Sequence, residues 1–429
     1  MGGISDENVK FSNKEVKEES MKRYLLIMIF CFTGMTAFTQ GADISFFQEY
    51  YFREDGTFND RLLVLEDIRA AKLTGIGSFY REALKYLYYR GADVTSKQER
   101  AIMEQTGIIL CDALAEEKYA EAADDIWKAV VLFDVTRDNN EGFAMQSALN
   151  ALGQLGAKDY IPYIVQRLNQ FNAMTLSDLE TRRRVQRAVI GCVKTLELFH
   201  DIEGYKSVFF VSVGGYDRPI QDVAITALPN IVDDPGEIII AVIIDPSNNP
   251  RVKLAAWREM LRSKAPGDSR AKVAAVALST GWSYSSNDVN FQTNLREMRK
   301  SAIETIRQYG ATDDSVFVNL EKSYSNNFIN NVPDYDEIRF VLNALSAIKT
   351  EPAVDLLYKI LHELHERRLG GPWTRKERQC LEWVLSSIGV TGTKSPEVIK
   401  TLMLMRRETK YTSSEKKWVE STMKSLGLI

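Results

Sequence analysis

The sequence predicts an all-α chain, a right-handed α-α superhelix of stacked helix pairs preceded by a signal peptide. Three observations carry that expectation. From about Asn59 onward, apolar residues recur at helical spacing and strand-like alternation is scarce. One phrase of small and apolar residues returns eight times at nearly constant spacing. Near the N-terminus, two cations stand before a short apolar run.

Bulk properties set the frame. A chain of 429 residues is too long for one ordinary core and implies several domains or a repeat array. Its 45% apolar and 26% charged content is that of a folded protein. A net charge of −4 gives no global basic field, which sequence-independent nucleic-acid binding requires, so no nucleic-acid partner is expected. Low-complexity tracts are absent, which argues against long disorder.

The first element is the N-terminal segment. Lys22-Arg23 followed by the mostly apolar run Tyr24 to Phe38, then small and polar residues, is the layout of a secretory signal. The run is short against the roughly 20 apolar residues of a membrane-spanning helix. Cleavage is expected after Gly41, with Ala42 the next choice, and an uncleaved signal-anchor is the competing reading, the only route by which the chain would hold a membrane. The signal therefore occupies 21–42, and translation from Met21 would make residues 1–20 an over-extended, disordered start. Export of this kind places the chain in the periplasm or outside a bacterial cell. The remaining cysteines, Cys111, Cys192 and Cys380, are widely separated in apolar helical stretches and read as small buried hydrophobes.

Next comes an aromatic-rich segment, 43–59, without a clear helical pattern, which either covers the open end of the array or docks a partner. Residues 60–144 read as four helices, a cap or divergent repeats: Leu62–Leu73, Ser78–Arg90, Lys97–Ala115 and Tyr119–Phe133. From 145 to 429 the phrase appears, as in SALNALGQLG (Ser147–Gly156), SAIETIRQYG (Ser301–Gly310) and LEWVLSSIG (Leu381–Gly389). Its anchors are Ala148, Ala188, Ala224, Ala256, Ala302, Val341, Leu381 and Val419, spaced by about 39 residues on average. The step from Ala256 to Ala302 is the longest, and the polar stretch 281–294 inside it reads as an inserted loop. The 0, +4, +7 spacing puts the anchor and its companions on one helix face, where small residues admit a close neighbour. A second apolar segment follows each phrase after a short turn. Ser207–Val213 and Glu237–Ile244 would read as strands in isolation, but their place in the period makes them short buried helices. Seven to eight helix pairs result.

These units resemble HEAT repeats, the armadillo-type helical repeats also found in phycocyanobilin-lyase-type HEAT proteins. The residues that carry the resemblance are Asp245-Pro246 through Pro250-Arg251-Val252 before Ala256, Arg184-Val185 before Ala188, and Tyr160-Ile161-Pro162 at the start of a second helix. It covers about Met145 to Leu428. The resemblance implies an α-solenoid used as a scaffold, with a concave surface lined by the second helix of each repeat. That surface would bind another protein, one of the cell envelope if the chain is exported. The alternative it leaves open is a cytosolic HEAT-like protein acting on nucleic acid or on a cofactor-bearing protein.

Catalytic patterns are missing from the sequence, so neither an enzyme nor a cofactor is expected. No phosphate loop with Gly-Lys-Ser/Thr and no Gly-x-Ser-x-Gly elbow occurs. His362 and His365 are weak metal candidates, because a zinc-protease helix needs its histidines four apart and these are three apart. Basic residues concentrate toward the C-terminus. Arg182, Arg183, Arg367, Arg368, Arg375, Lys376, Arg406 and Arg407 are the candidates for a binding surface directed at an acidic protein, a cell-wall polymer or lipid headgroups; a solvated helix face is the plainer reading of such runs.

Overall fold

The computed structural model describes residues 44–137, 140–284, 287–328 and 334–429. The expected signal segment, with Gly41, Ala42 and residues 1–20, lies outside them. Among the described residues there are twenty α-helices, three short 3-10 turns and no strand. In chain order the helices are α1 (Ile44–Phe52), α2 (Phe58–Ala70), α3 (Gly77–Gly91), α4 (Lys97–Glu116), α5 (Ala123–Leu132), α6 (Phe143–Gln154) and α7 (Ile161–Ala173). They continue as α8 (Leu179–Phe199), α9 (Tyr205–Val213), α10 (Arg218–Ile231), α11 (Gly236–Ile244), α12 (Pro250–Arg262), α13 (Gly267–Ser283) and α14 (Val289–Tyr309). The last six are α15 (Ser315–Phe328), α16 (Tyr335–Ile348), α17 (Glu351–Gly370), α18 (Arg375–Thr391), α19 (Pro396–Arg407) and α20 (Ser413–Ser425).

Packing follows the chain. Every odd-numbered helix lies against the even-numbered helix that follows it, and the even helices stack on one another in sequence except between α10 and α12. All eight anchors fall on even helices, from Ala148 on α6 to Val419 on α20, and each is 0% exposed. Small residues set the approach distance. At Gly191 on α8 an added Cβ would stand 3.0 Å from the Gln146 Cα of α6, so the two backbones meet where a side chain has no room. Neighbouring units are also tied by hydrogen bonds across the stack. Thr195 Oγ1 donates to the Leu149 carbonyl at 2.6 Å, and Thr422 Oγ1 donates to the Leu385 carbonyl at 3.0 Å.

Helix starts are written locally. Thr57, Thr374 and Thr412 each form a capping box with the acid three residues on, Asp60, Glu377 and Glu415. Pro162 sits in the first turn of α7, where its missing N–H costs nothing. Ser207–Val213 and Glu237–Ile244 are helical, within α9 and α11, as their place in the period required.

Two expectations are corrected. The aromatic segment is largely helical where described: α1 spans Ile44–Phe52, a turn follows, and α2 opens at Phe58. Aromatic residues are modest helix formers, so the local pattern is weak. Packing supplies what propensity lacks, because Tyr51 is fully buried with its ring 5.6 Å from that of Phe79. Arg61 fastens the segment by donating to the Tyr51 carbonyl at 3.1 Å and to the Tyr86 hydroxyl at 2.8 Å. Within the stretch 281–294, expected as an inserted loop, residues 281–283 and 289–294 are helical. α13 runs to Ser283 and α14 begins at Val289, so most of the extra length of the Ala256-to-Ala302 step lengthens the two helices.

The departure from regular stacking sits at the shortest step instead, Ala224 to Ala256. Between α10 and α12 the close stacking of even helices is interrupted, and α9 packs against α12 in its place. Buried Lys253 of α12 secures the end of the nine-residue α11 by donating to the Ile243 and Asp245 carbonyls.

Candidate binding surface

Each even helix spends its anchor face on the core, which leaves the odd helices and the outer edges of the even ones for function. Two open grooves lie on outward faces of odd helices. One, of about 740 Å³, runs along α7 over Pro162, Val165, Gln166, Asn169 and Gln170 and is bordered by Glu203. The other, of about 540 Å³, runs along α19 over Pro396, Ile399, Lys400, Met403, Leu404 and Arg407. Spacings of three and four place each set on a single helix face. A third hollow, of about 410 Å³, is lined by Tyr335, Asp336 and Arg339 of α16 and by Arg375, Gln379 and Trp383 of α18.

The basic candidates from the sequence do not form one patch; they lie on α8, α17, α18 and α19. Arg182 reaches back six residues to the Leu176 carbonyl at 2.9 Å, as Arg100 reaches back six to Val94, so both clamp the turn before an even helix. Arg367 pairs with Glu363 at 3.2 Å and Glu377 at 3.7 Å. Arg368 donates to the Lys410 carbonyl and lies over the Trp373 and Tyr411 rings. Lys376 donates to the Phe328 carbonyl at 2.6 Å, and Arg406 pairs with Glu420 at 3.4 Å. Arg183, Arg375 and Arg407 are exposed and form no ion pair among the described residues. Four of the six C-terminal candidates, Arg367, Arg368, Lys376 and Arg406, are thus engaged within the molecule.

His362 and His365 have different neighbours. His362 is exposed and stacks on Tyr358 at 5.9 Å, whereas His365 is buried, stacks on Tyr411 and lies 2.9 Å from its hydroxyl through Nδ1. Among the described residues no group of three or more His, Cys, Asp or Glu is placed to hold a metal ion. Cys111, Cys192 and Cys380 are buried and free, and burial pushes the Cys192 and Cys380 thiols up to about 12.

Burial also lowers the pKa of His365, against weaker opposing effects of Glu366 and Glu408, with His362 adding to the lowering. The unfolded imidazole titrates near 6.5, so below that pH the unfolded chain takes up a proton that the folded one refuses. Stability is therefore expected to fall as pH drops from 7 through 6.5, down to the lower folded value. Urea midpoints measured between pH 7.5 and pH 5 check this: the slope should flatten in His365→Gln, and an equal slope in both proteins would refute it.

An aromatic group absent from the sequence reading emerges between α5 and α7. The Trp127 and Tyr160 rings are 5.4 Å apart, Trp127 and Tyr163 5.7 Å, and Tyr160 and Tyr163 6.2 Å. Tyr163 is 54% exposed and Trp127 half-buried. The Tyr160 hydroxyl donates to Asp124; burial and this bond hold the phenol well above its usual range, so it stays a donor. The Tyr160-x-x-Tyr163 spacing is visible in the sequence, but the arrival of Trp127 beside it is a tertiary event.

No protein-family model matches the chain, and no curated protein matches it significantly. No described helix is long and apolar enough to cross a membrane.

Proposed function

We propose that this chain is an exported helical-repeat scaffold, a HEAT-type right-handed superhelix, that holds another protein or component of the cell envelope and performs no catalysis. The observation that carries the reading is the division of labour between the two helix rows. The even row has all eight phrase anchors fully buried, while open grooves run along odd helices α7 and α19. A serial array of this kind builds a continuous core from repeats and leaves an extended surface for partners. Export rests on the cation-then-apolar layout of Lys22 to Phe38.

Mass spectrometry of the mature chain from a fractionated cell tests the reading directly. The expected N-terminus lies near Ala42, in the envelope fraction, with a partner co-purifying at stoichiometric level. A chain retaining residues 1–40 in the cytosol, or an envelope chain that brings down nothing, would count against it.

A further inference from the structure

The aromatic trio differs from the other rings at this surface in how it is covered. Elsewhere the chain places its own cations on its rings: Arg187 lies 3.9 Å from the centre of Phe143, Arg378 5.4 Å from that of Trp418 and Arg270 6.0 Å from that of Tyr309. No arginine or lysine of the described residues lies over Trp127, Tyr160 or Tyr163. The carboxylates around the trio are also incompletely balanced. Asp124 accepts from Tyr160 and interacts only weakly with Lys128, and neither Asp124 nor Asp159 forms an ion pair among the described residues. Glu121 is 3.9 Å from Arg81, whose main contact is Asp125 at 2.8 Å; Lys128 is likewise held by Asp125 at 3.1 Å. Lys158 adjoins Asp159 in the chain, is exposed, and forms no ion pair among the described residues.

The trio is continuous with the larger groove, because Tyr163 shares α7 with Pro162, Gln166 and Gln170. Glu203 borders the same groove and forms no ion pair among the described residues. From Pro162 to Gln170 α7 rises about 12 Å, the length of roughly four extended residues. Along that length the surface offers ring faces and carboxylates, then the amides of Gln166 and Gln170. Ring faces and carboxylates both attract a guanidinium or ammonium, and amides suit the backbone of an extended chain.

We propose that the α7 groove and the Trp127–Tyr160–Tyr163 trio seat a basic polypeptide segment, with one arginine or lysine side chain lying on the trio. Charge complementarity selects this occupant: Asp124, Asp159 and Glu203 form no ion pair among the described residues, against Lys158 as the unpaired cation beside them, and no arginine or lysine of the described residues covers the rings. The inference rests on the scaffold reading and names the chemistry of the partner it would hold.

Calorimetric titration of the purified full chain with hexa-arginine at low salt tests it, with hexa-glutamate and chitotetraose as comparison probes. Hexa-arginine should bind and hexa-glutamate should not. Tyr163→Ala should weaken binding about tenfold, since a ring face and a cation contribute on that scale. Tyr163→Phe should retain the affinity, and the pair Asp159→Asn with Glu203→Gln should weaken it. Tyr163 is exposed, so an unchanged melting temperature in these variants certifies the fold. Equal affinity in Tyr163→Ala and the parent chain would mean diffuse attraction to an acidic surface and overturns the proposal. Absence of hexa-arginine binding, or displacement of the peptide by chitotetraose, also overturns it. The titration uses no envelope material. Its failure beside a captured envelope partner sinks the groove assignment alone, and success without a captured partner supports the groove while counting against the envelope-partner reading.

Discussion

Arg299→Ala is expected to lower stability by about 3–5 kcal/mol, because it leaves Glu337 charged and alone in the core. The pair joins α14 to α16 in a bidentate contact, Nε to Oε1 at 2.9 Å and Nη2 to Oε2 at 3.2 Å. Glu337 is 0% exposed and the Arg299 side chain 8%. The third arm of the guanidinium donates to the Gly281 carbonyl at 3.0 Å, near the end of α13, and its plane lies 3.9 Å from the centre of the Trp282 ring. One side chain therefore fastens three helices. Glu337→Ala should cost a similar amount for the converse reason. The double change Arg299→Met with Glu337→Leu should recover most of the loss, since removing both charges removes the desolvation penalty along with the attraction. Urea unfolding of the two single variants and the pair gives the coupling energy directly. A loss below about 1 kcal/mol in Arg299→Ala would show that water reaches Glu337 and that the pair behaves like a surface one.

Trp257→Ala should be comparably severe, at about 3–5 kcal/mol, and should alter the shape of unfolding as well. Trp257 lies on α12 and is fully buried; its Nε1 donates to Ser301 Oγ on α14 at 2.7 Å. α12 is the even helix that meets α9 where the regular stacking is interrupted, so it links the N-terminal and C-terminal runs of helices. In an array held by nearest-neighbour contacts, weakening one junction uncouples what lies on either side. The variant is expected to unfold in two steps where the parent unfolds in one, as followed by circular dichroism across a urea series. Ser301→Ala, which removes the hydrogen bond and keeps the indole, should cost only about 1 kcal/mol. Two variants with equal losses would assign the stability to the hydrogen bond and not to the packing.

Legibility in the sequence differed from element to element. The helices of 145–429 were readable because the signal is local and redundant. A 0, +4, +7 phrase needs only one turn-scale periodicity to mark a buried face, and Ala148, Ala188 and Ala224 are all fully buried as that face demands. α1 was not readable, because Ile44–Phe52 lacks a polar–apolar alternation and is held by Tyr51, Phe79 and Arg61 meeting in space. The length of the step from Ala256 to Ala302 was readable, but its use was not: extra residues extend a helix or bulge as a loop according to whether the next unit can cover them. The binding surface was the least legible. Runs such as Arg367-Arg368 look available in a string of letters, and whether Glu363, Glu377 and Tyr411 have claimed them depends on two helices and the turn before α20.

By itself, then, the amino-acid sequence determined the all-helical class, the period, and the face of each even helix that would be buried. These follow from spacings within one or two turns. The tertiary structure alone decided where the stacking changes register, which cations are spent on internal carboxylates, and where Trp127 joins Tyr160 and Tyr163. Each of those outcomes needs residues about one repeat apart to arrive together, as Arg299 and Glu337 do across 38 positions. The relative placement of successive units is set by the summed shape of both partners, and no local periodicity encodes that sum.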